Sequence, residues 1–331
     1  MIAPLSGDVS AWGLDVRNSL LFAVQKLAHE KIEFVFEDDK CLGKDAVTAA
    51  HKLVSVDKVD FAMVVCTESM LATAPIFEAN KIIVITPVAT GDKVSAAGDY
   101  IFRTWPSDAL AAQLLVSTVA KKHQRFGTIT ESRGFPEEFS QALHQAAAPT
   151  NLKIFDQAFL SEATDYKVPL LKLKTQNVSG ILINTNSVRI YINILKQISE
   201  LNWKIQIYGV YMPGNPTFIK LTGQLAEGII YVDAPALTIN LSDHGRTIYQ
   251  EFLHTYGPLQ SSDFVFASTY EALKLIIENS LATNDIRNVL YAQNFSGIFG
   301  KYSFDRNGDI ENIKHQLKII RHSQPVLFSP Y

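Results

Sequence analysis

Short apolar runs alternate with helix-like segments along nearly the whole chain, and this rhythm restricts the possible folds more than any other feature. Residues 59–65 and 82–86 form two such runs, and residues 69–80 between them carry apolar side chains at helical spacing. Strands separated by helices of about a dozen residues indicate βαβ units and a parallel sheet. Because the crossovers between parallel strands are right-handed, the pattern predicts a doubly wound α/β fold.

The same reading predicts an element order for each half of the chain. Before residue 107, the helices are expected at 13–30, 44–56 and 69–80, and the strands at 32–39, 59–65 and 82–86. After Arg103-Thr-Trp-Pro106, the helices are expected at 107–124, 137–148, 167–176 and 187–201, and the strands at 126–130, 152–160, 180–184, 205–209 and 228–232. Two long helices, 244–255 and 264–281, and a hairpin with its turn at Asn307-Gly308 are expected to close the chain. The halves are therefore predicted to be two similar α/β lobes.

Composition restricts the function as well as the size. A chain of 331 residues with 47% hydrophobic and 19% charged residues suits two well-cored domains. The net charge of −3 and the absence of a Lys or Arg block argue against nucleic acid as a partner. No apolar run approaches the ~18–20 residues of a membrane helix. The opening Met1-Ile-Ala-Pro-Leu-Ser-Gly7 has no signal-peptide pattern and is short for a first strand, so a mature or trimmed N-terminus is expected.

Cys41 and Cys66 are the only two cysteines, and each stands at the end of a predicted strand. The carboxyl ends of parallel strands lie at one edge of a sheet, where ligands usually bind. A disulfide between them implies a home outside the cytoplasm, whereas two buried thiols behave as small hydrophobes. The residues alone leave both possibilities open.

Motifs for catalysis and metal binding are missing from the sequence. It has no Gly-x-Ser-x-Gly, no phosphate loop, no Gly-x-Gly-x-x-Gly and no His or Cys cluster at zinc spacing. The segment Asp305-Arg-Asn-Gly-Asp309 is similar to a calcium loop, but its glycine comes too early and the distant bidentate Glu is absent. This segment is therefore predicted to form a hairpin turn. For the whole chain, the sequence predicts no enzyme activity, no cofactor and no bound metal.

An ordered set of motifs resembles the type I periplasmic binding proteins, and most closely their leucine/isoleucine/valine-binding branch. The similarity covers essentially the whole chain. The motifs are Met1-Ile-Ala-Pro-Leu-Ser-Gly-Asp-Val-Ser-Ala-Trp-Gly13, Phe36-Glu-Asp-Asp-Lys-Cys41, Val64-Val-Cys-Thr-Glu-Ser69, Ile83-Val-Ile-Thr-Pro-Val-Ala-Thr90, Tyr100-Ile-Phe-Arg-Thr104, Ala226-Glu-Gly228, Ser268-Thr-Tyr-Glu-Ala272 and Gly300-Lys-Tyr-Ser-Phe-Asp-Arg-Asn-Gly-Asp309.

This resemblance implies two lobes joined by three crossing strands, with the ligand in the cleft between them. Lobe 1 is expected to comprise residues 1–107 and 236–316, and lobe 2 residues 108–235 and 317–331. Such proteins are monomers that capture a solute outside the membrane, close around it by a hinge motion and deliver it to an ABC permease. The expected location is the periplasm, or the outer face of the membrane in a Gram-positive source. In the resembled branch the cysteines at the positions of Cys41 and Cys66 form a disulfide.

The resemblance also implies ligand contacts in lobe 1. Thr67, at a helix N-terminus, and Thr90 match the positions that hold a ligand carboxylate, and helix N-termini attract anions in general. The carbonyl of Val88 matches an acceptor for a ligand ammonium, with Ala89 beside it in the same loop. Trp12 matches an aromatic wall of the side-chain pocket. The alternative for both threonines is ordinary helix capping.

Lobe 2 departs from the pattern of the branch. Tyr211 stands where branched-chain binders place the carboxylate that pairs with the ligand ammonium, and Ser187 replaces an aromatic residue. The loop after Thr130 is shorter, so Phe135 or Arg133 is expected to fill the space of another aromatic residue. The resemblance therefore leaves the ligand open among amino acids and related aliphatic or aromatic acids.

Glu68, directly after Thr67, has two interpretations. Its carboxylate either faces solvent and interacts with the helix dipole, or supplies the negative charge that Tyr211 does not. A ligand without an ammonium is a third possibility, and Arg133 would suit an acid. For the whole chain, the alternative to an importer component is a ligand sensor on the same fold that signals through a partner protein.

Overall fold

The structure is a computed structural model that describes residues 1–27, 32–280 and 285–329. The chain divides into two compact units. Unit 1 comprises Met1–Ser107 and Pro235–Lys314, and unit 2 comprises Asp108–Ala234 and His315–Tyr331. The boundaries expected from the resemblance differ from these by one residue near position 235 and by two residues near position 315.

The elements follow one another in the predicted alternation. The first segment of unit 1 contains β1 (Ile2–Ala3), α1 (Ser10–Leu27), β2 (Glu37–Asp38), α2 (Gly43–Lys52), β3 (Phe61–Ala62), α3 (Thr67–Ala79), β4 (Ile83–Thr86) and β5 (Ile101–Arg103). Unit 2 continues with α4 (Asp108–Lys122), β6 (Arg125–Glu131), α5 (Gly134–Ala147), β7 (Lys153–Phe159), α6 (Lys167–Thr175), β8 (Gly180–Asn184), α7 (Val188–Glu200), β9 (Gln206–Val210), α8 (Pro216–Thr222) and β10 (Ile230–Asp233). The second segment of unit 1 contains α9 (Leu237–Asn240), α10 (Asp243–Tyr256), α11 (Phe264–Ser280), α12 (Ile286–Ala292), β11 (Phe295–Gly297), β12 (Gly300–Phe304) and β13 (Ile310–Glu311). Unit 2 ends with β14 (Gln316–Arg321) and β15 (Gln324–Leu327).

Unit 1 is built on short parallel strands. Strand β1 pairs with β2, with Ile2 opposite Glu37, and a parallel bridge joins Ile2 to Val64 just after β3. Strands β3, β4 and β5 are also parallel. The spatial order is therefore β2-β1-β3-β4-β5, which is a doubly wound order with its switch point between β1 and β3.

Unit 2 has one seven-stranded sheet in the order β15-β14-β10-β9-β8-β6-β7. The strands from β10 to β7 are parallel to one another. They repeat the doubly wound order, with the switch point between β6 and β8. Strands β14 and β15 add an antiparallel hairpin at the β10 edge. The predicted α/β class with parallel sheets is confirmed.

The helices of unit 2 bury one face each against this sheet. In α7, the buried residues Ile190, Ile194 and Ile198 recur at every fourth position, so they form one stripe on the helix. They join a core to which β8 contributes Ile181 and Ile183. The apolar periodicity of the sequence therefore selects which face of the helix packs inward.

The structure also corrects several predicted elements. The strand expected at 32–39 is regular only at Glu37–Asp38, and the strand expected at 59–65 only at Phe61–Ala62. The helix expected at 44–56 is α-helical to Lys52 and continues as a π-helical turn over Leu53–Asp57. The hairpin with its turn at Asn307-Gly308 is present between β12 and β13, but it does not close the chain, because the β14–β15 hairpin follows. The predicted ends of two helices, at 28–30 and 281, and the last two residues of the predicted lobe 2 lie outside the described residues.

Within the described ranges, no helix is long and apolar enough to span a bilayer.

Candidate functional site

The N-terminus of α3 presents Thr67 at the carboxyl edge of the unit 1 strands. Thr67 is the first helical residue, it is 4% exposed, and Cys66 before it has an extended backbone. The first N–H groups of a helix have no partner within the helix and attract negative charge. The hydroxyl of Thr67 accepts a hydrogen bond from the N–H of Gly91 at 3.2 Å. The threonine therefore connects this helix end to the loop after β4.

A disulfide braces the same turn. Cys41 and Cys66 are bonded, with their Cα atoms 5.5 Å apart and 25 positions apart in sequence. Cys41 has a left-handed backbone, with φ at 57°, and its N–H donates to the carboxylate of Asp39 at 3.0 Å. The pairing that the resemblance implied is thus present, and it fixes the residue directly before Thr67.

The loop over residues 87–91 carries the expected contacts Val88, Ala89 and Thr90. Ala89 and Thr90 are buried, and Val88 is half-buried. The carbonyl of Pro87 accepts a hydrogen bond from the hydroxyl of Ser268 at 2.7 Å. The N–H of Ala89 donates to the hydroxyl of Thr86 at 2.9 Å. Hydrogen bonds from α11 and β4 therefore hold the first half of this loop.

Arg103 holds the second half of the loop from β5. One guanidinium nitrogen donates to the carbonyls of Thr90 and Gly91, each at 2.9 Å. Nη2 donates a hydrogen bond to one carboxylate oxygen of Asp309 at 2.7 Å, and Nε lies 2.5 Å from the other oxygen, so the guanidinium and the carboxylate form a close ion pair. The Arg103 side chain is 1% exposed and that of Asp309 is 17% exposed. Sequence reasoning placed both residues in family motifs but did not predict that they support the loop.

Glu68 has a local partner that neither interpretation of the sequence included. One of its carboxylate oxygens accepts a hydrogen bond from the N–H of Gly43, the first residue of α2, at 3.3 Å. Leu42, at the N-cap position of α2, has no side chain that can cap it. The half-buried Glu68 carboxylate therefore compensates the helix end from the neighbouring helix.

Trp12 lies in the first turns of α1 and is 9% exposed. Its ring meets the edge of Trp105 with the ring centroids 6.2 Å apart. Trp105 in turn packs edge-to-face against Phe264 at 5.0 Å. The indole of Trp12 is thus one end of an aromatic row in the core of unit 1.

In unit 2, Tyr211 follows β9 with a strained backbone. Its φ of 54° and ψ of −55° lie near the rare γ-turn region that is costly for a non-glycine residue. The N–H of Tyr211 donates to the carbonyl of Val232 at 2.9 Å, and its carbonyl accepts from the N–H of Gly214 at 3.0 Å. These two bonds hold the unusual conformation and set the direction of the phenol.

The Tyr211 hydroxyl joins two ionisable side chains. It donates to a carboxylate oxygen of Asp108 at 2.9 Å and lies 2.9 Å from Nε2 of His315. Asp108 is the first residue of α4, and His315 directly precedes β14. All three side chains are buried. The ring of Phe135 lies 5.8 Å from the Tyr211 ring, which brings together two of the residues expected from the resemblance.

Ser187 is used for helix capping. It is the N-cap of α7, and its hydroxyl accepts from the N–H of Ile190 at 3.3 Å. Arg133 occupies the N-cap position of α5, and its guanidinium lies 3.9 Å from the buried carboxylate of Glu131. Glu131 also accepts from the hydroxyl of Thr185 at 2.6 Å. The two loops at the β6/β8 switch point are therefore tied together by polar contacts.

In the part of the chain that the structure describes, no group of three or more His, Cys, Asp or Glu side chains is arranged to hold a metal ion.

Comparisons with known proteins agree with this architecture. A family model described as "Periplasmic binding protein" matches residues 1–319. The Leu/Ile/Val-binding protein of Escherichia coli (strain K12) is 24% identical over 318 residues, which is 93% of this chain and 84% of that protein. The crystal structure of a leucine binding protein from Thermotoga maritima superposes with a TM-score of 0.90 at 20% identity and covers 99% of this chain and 96% of that chain. A solute binding protein of an ABC transporter from R. palustris, solved in complex with benzoate, has a TM-score of 0.85 at 15% identity and covers 99% of this chain and 94% of that chain.

Proposed function

The chain belongs to the periplasmic binding protein family, and we propose that it captures a small carboxylate-bearing solute for an ABC importer. Its relatives are solute-binding proteins rather than enzymes, in agreement with the prediction of no catalytic activity. One relative is named for branched-chain amino acids, and a structural neighbour was solved with an aromatic acid. An amino acid or a related organic acid is therefore the ligand class that we propose.

The observation that carries this proposal is the helix end at Thr67. The disulfide fixes Cys66, and the Gly91 N–H binds the Thr67 hydroxyl, so the first turn of α3 is held before any ligand arrives. A preorganised helix N-terminus favours an anion because its N–H groups and its dipole already point at the ligand. A ligand carboxylate is the proposed occupant, with Thr90 and the carbonyl of Val88 as further contacts.

We propose that unit 2 contributes the remaining contacts through Tyr211, Phe135 and Ser187. Ligand binding would then favour the closed state, because only that state makes both sets of contacts. The permease of the importer is the proposed partner, and the periplasm or the outer face of the membrane is the proposed location. A monomer suffices for this role.

Calorimetry and thermal shift against amino acids and aromatic acids test the proposal. A ligand present at about 1,000 times its Kd should stabilise the protein by roughly 4 kcal/mol. Stabilisation by a neutral sugar or a nucleoside, with none by any carboxylic acid, would show that the ligand class is wrong.

A matched pair of threonine variants tests the site. Thr67→Ala removes the hydroxyl at the helix end and should weaken acid binding roughly tenfold, which corresponds to about 1.4 kcal/mol. Thr48→Ala, on the exposed face of α2, is the control and should leave affinity unchanged. Equal affinities for the two variants would remove Thr67 from the site.

A further inference from the structure

We propose that Asn307 is a modification site, at which the chain deamidates when the turn between β12 and β13 opens, and that the closed turn suppresses this reaction. Asn307-Gly308 is the only Asn-Gly pair in the sequence. Asparagine is a thermolabile residue in general, and it reacts most readily before glycine, because glycine has no Cβ to shield its nitrogen or to restrict its backbone. The turn therefore contains a reactive pair that the proposed function does not use.

The reaction needs only water besides the chain itself. The backbone nitrogen of Gly308 attacks the side-chain carbonyl carbon of Asn307 and forms a C–N bond that closes a five-membered succinimide ring. The side-chain nitrogen leaves as ammonia and takes the proton of the Gly308 N–H with it. Water then opens the ring at one of its two carbonyls. One product is aspartate, and the other is isoaspartate, whose backbone runs through the side-chain carbon and is one atom longer.

The closed turn binds both reacting groups to Asp305. The N–H of Gly308 donates to the Asp305 carbonyl at 3.0 Å, and the side-chain amide of Asn307 donates to one Asp305 carboxylate oxygen at 3.3 Å. The other carboxylate oxygen accepts from the N–H of Asn307 at 2.8 Å and from that of Asp309 at 3.0 Å. Ring closure requires a rotation about the Cα–C bond of Asn307, which carries the Gly308 N–H away from Asp305. The Asp305 side chain is therefore the positioning group that keeps the turn closed.

The fold requires glycine at position 308, so the reactive pair cannot be avoided by a substitution there. Gly308 has a left-handed backbone, with φ at 75°, and a Cβ at this position would lie 2.1 Å from the carbonyl oxygen of Ile101. Its own carbonyl accepts a hydrogen bond from the N–H of Arg103 at 2.9 Å. The chemical lifetime of Asn307 therefore depends on how rarely this turn opens.

Isoaspartate at position 307 would disturb the contacts of Arg103. The added backbone atom lies directly before Gly308, whose carbonyl accepts from the Arg103 N–H, and two residues before Asp309, whose carboxylate pairs with the Arg103 guanidinium. Both contacts require the register of the unmodified turn. A modified turn should therefore fail to close as before, and unit 1 should be less stable.

Peptide mass spectrometry on the full chain, aged at neutral pH in buffer and in urea, tests the inference. We expect Asn307 to deamidate at least about tenfold more slowly in the folded chain than in urea, because only the open turn reacts. Asp305→Ala should accelerate the reaction of the folded chain about two- to tenfold, as the loss of one net hydrogen bond would, and should leave the rate in urea unchanged. Glu311→Ala removes a carboxylate of the same hairpin that accepts from the Ser303 hydroxyl, and this control should keep the natural rate.

The stability of the product supplies a second measurement. Ion exchange separates the aged isoaspartate species, which should unfold at a lower urea concentration than Asn307→Asp, a variant with the same charge and the natural backbone. Equal unfolding of these two would overturn the predicted effect on the Arg103 contacts. Equal deamidation of Asn307 in buffer and in urea, or an Asp305→Ala rate equal to that of the natural folded chain, would overturn the role of the closed turn. An Asn307 that stays intact in urea would overturn the site itself, and the comparison of buffer with urea decides the matter even if Asp305→Ala does not fold.

Discussion

Replacing Arg103 with methionine should destabilise unit 1 and weaken ligand binding together. The guanidinium is buried, it forms a close ion pair with Asp309, and it donates to the carbonyls of Thr90 and Gly91. Methionine fills a similar volume but makes none of these bonds. The substitution therefore leaves the carbonyls of Thr90 and Gly91 without their donor, and it leaves the Asp309 carboxylate with the Ser95 hydroxyl as a donor but without its cation.

The expected loss follows from the burial of these groups. Breaking a buried ion pair typically costs about 3–5 kcal/mol, because the remaining charge stays desolvated. The Asp309 side chain is 17% exposed and can regain some hydration, but the two carbonyls add to the loss. We therefore expect Arg103→Met to lower the free energy of unfolding by about 4 kcal/mol. Asp309→Asn keeps the carbonyl contacts of Arg103 and should cost about 2 kcal/mol.

Guanidinium unfolding followed by far-UV circular dichroism measures both effects. The double variant should show a coupling energy of about 2 kcal/mol, since the second substitution removes a partner that is already lost. Lys167→Met removes the cation of an exposed ion pair with Glu200 and serves as the control with little expected change. Additive effects of Arg103→Met and Asp309→Asn would refute the coupling between these two residues. A loss of unfolding free energy no larger than that of the control would do the same.

The same variant should affect the ligand. Without the bonds from Arg103 to the carbonyls of Thr90 and Gly91, the second half of the loop over residues 87–91 is held less firmly and must be ordered further on binding. We expect roughly tenfold weaker affinity, equivalent to about 1.4 kcal/mol of lost preorganisation. Calorimetry with the ligand found by the acid screen checks this, and unchanged affinity would show that Arg103 does not position the loop.

Three further predictions concern unit 1. Cys41→Ser combined with Cys66→Ser opens a loop between positions 25 apart, and should lower the unfolding free energy by about 3.5 kcal/mol in the chain-entropy model; a loss below about 1 kcal/mol in denaturant titrations would contradict it. Gly91→Ala places a Cβ 2.4 Å from the Thr67 methyl group, so it should weaken acid binding and lower the free energy of unfolding by about 1–3 kcal/mol. Unchanged affinity in calorimetry and unchanged unfolding would contradict the close approach of Gly91 to Thr67. Burial raises the pKa of Glu271, so the native state binds this proton more tightly than the unfolded state does. The free energy of unfolding should therefore fall as the pH rises above the ordinary carboxyl pKa. Glu271→Gln should show a shallower fall over the same pH range, and identical pH profiles of the two proteins would refute the assignment.

Strongly periodic segments were predictable from sequence because the signal is local. The strand predicted at 180–184 is observed at Gly180–Asn184, and the helix predicted at 187–201 at Val188–Glu200. Short elements were missed, including the seven-residue helices α8 and α12, since such lengths hold too few turns for a periodic pattern. The β14–β15 hairpin was missed because its turn uses His322 and Ser323 at positive φ rather than glycine.

In the candidate site, too, some features could be predicted from the sequence and others could not. A motif match at Cys66 and Thr67 indicated a helix end with a disulfide beside it, because these residues are adjacent in sequence and their roles depend on that adjacency. No local pattern could connect Tyr211 with Asp108, 103 positions away, or with His315, 104 positions away. The sequence by itself determined the alternating α/β order, and its resemblance to a family predicted the disulfide beside Thr67. Only the tertiary structure decided that the Tyr211 hydroxyl donates a hydrogen bond to Asp108, because this bond depends on which side chains the sheet of unit 2 brings within hydrogen-bond distance.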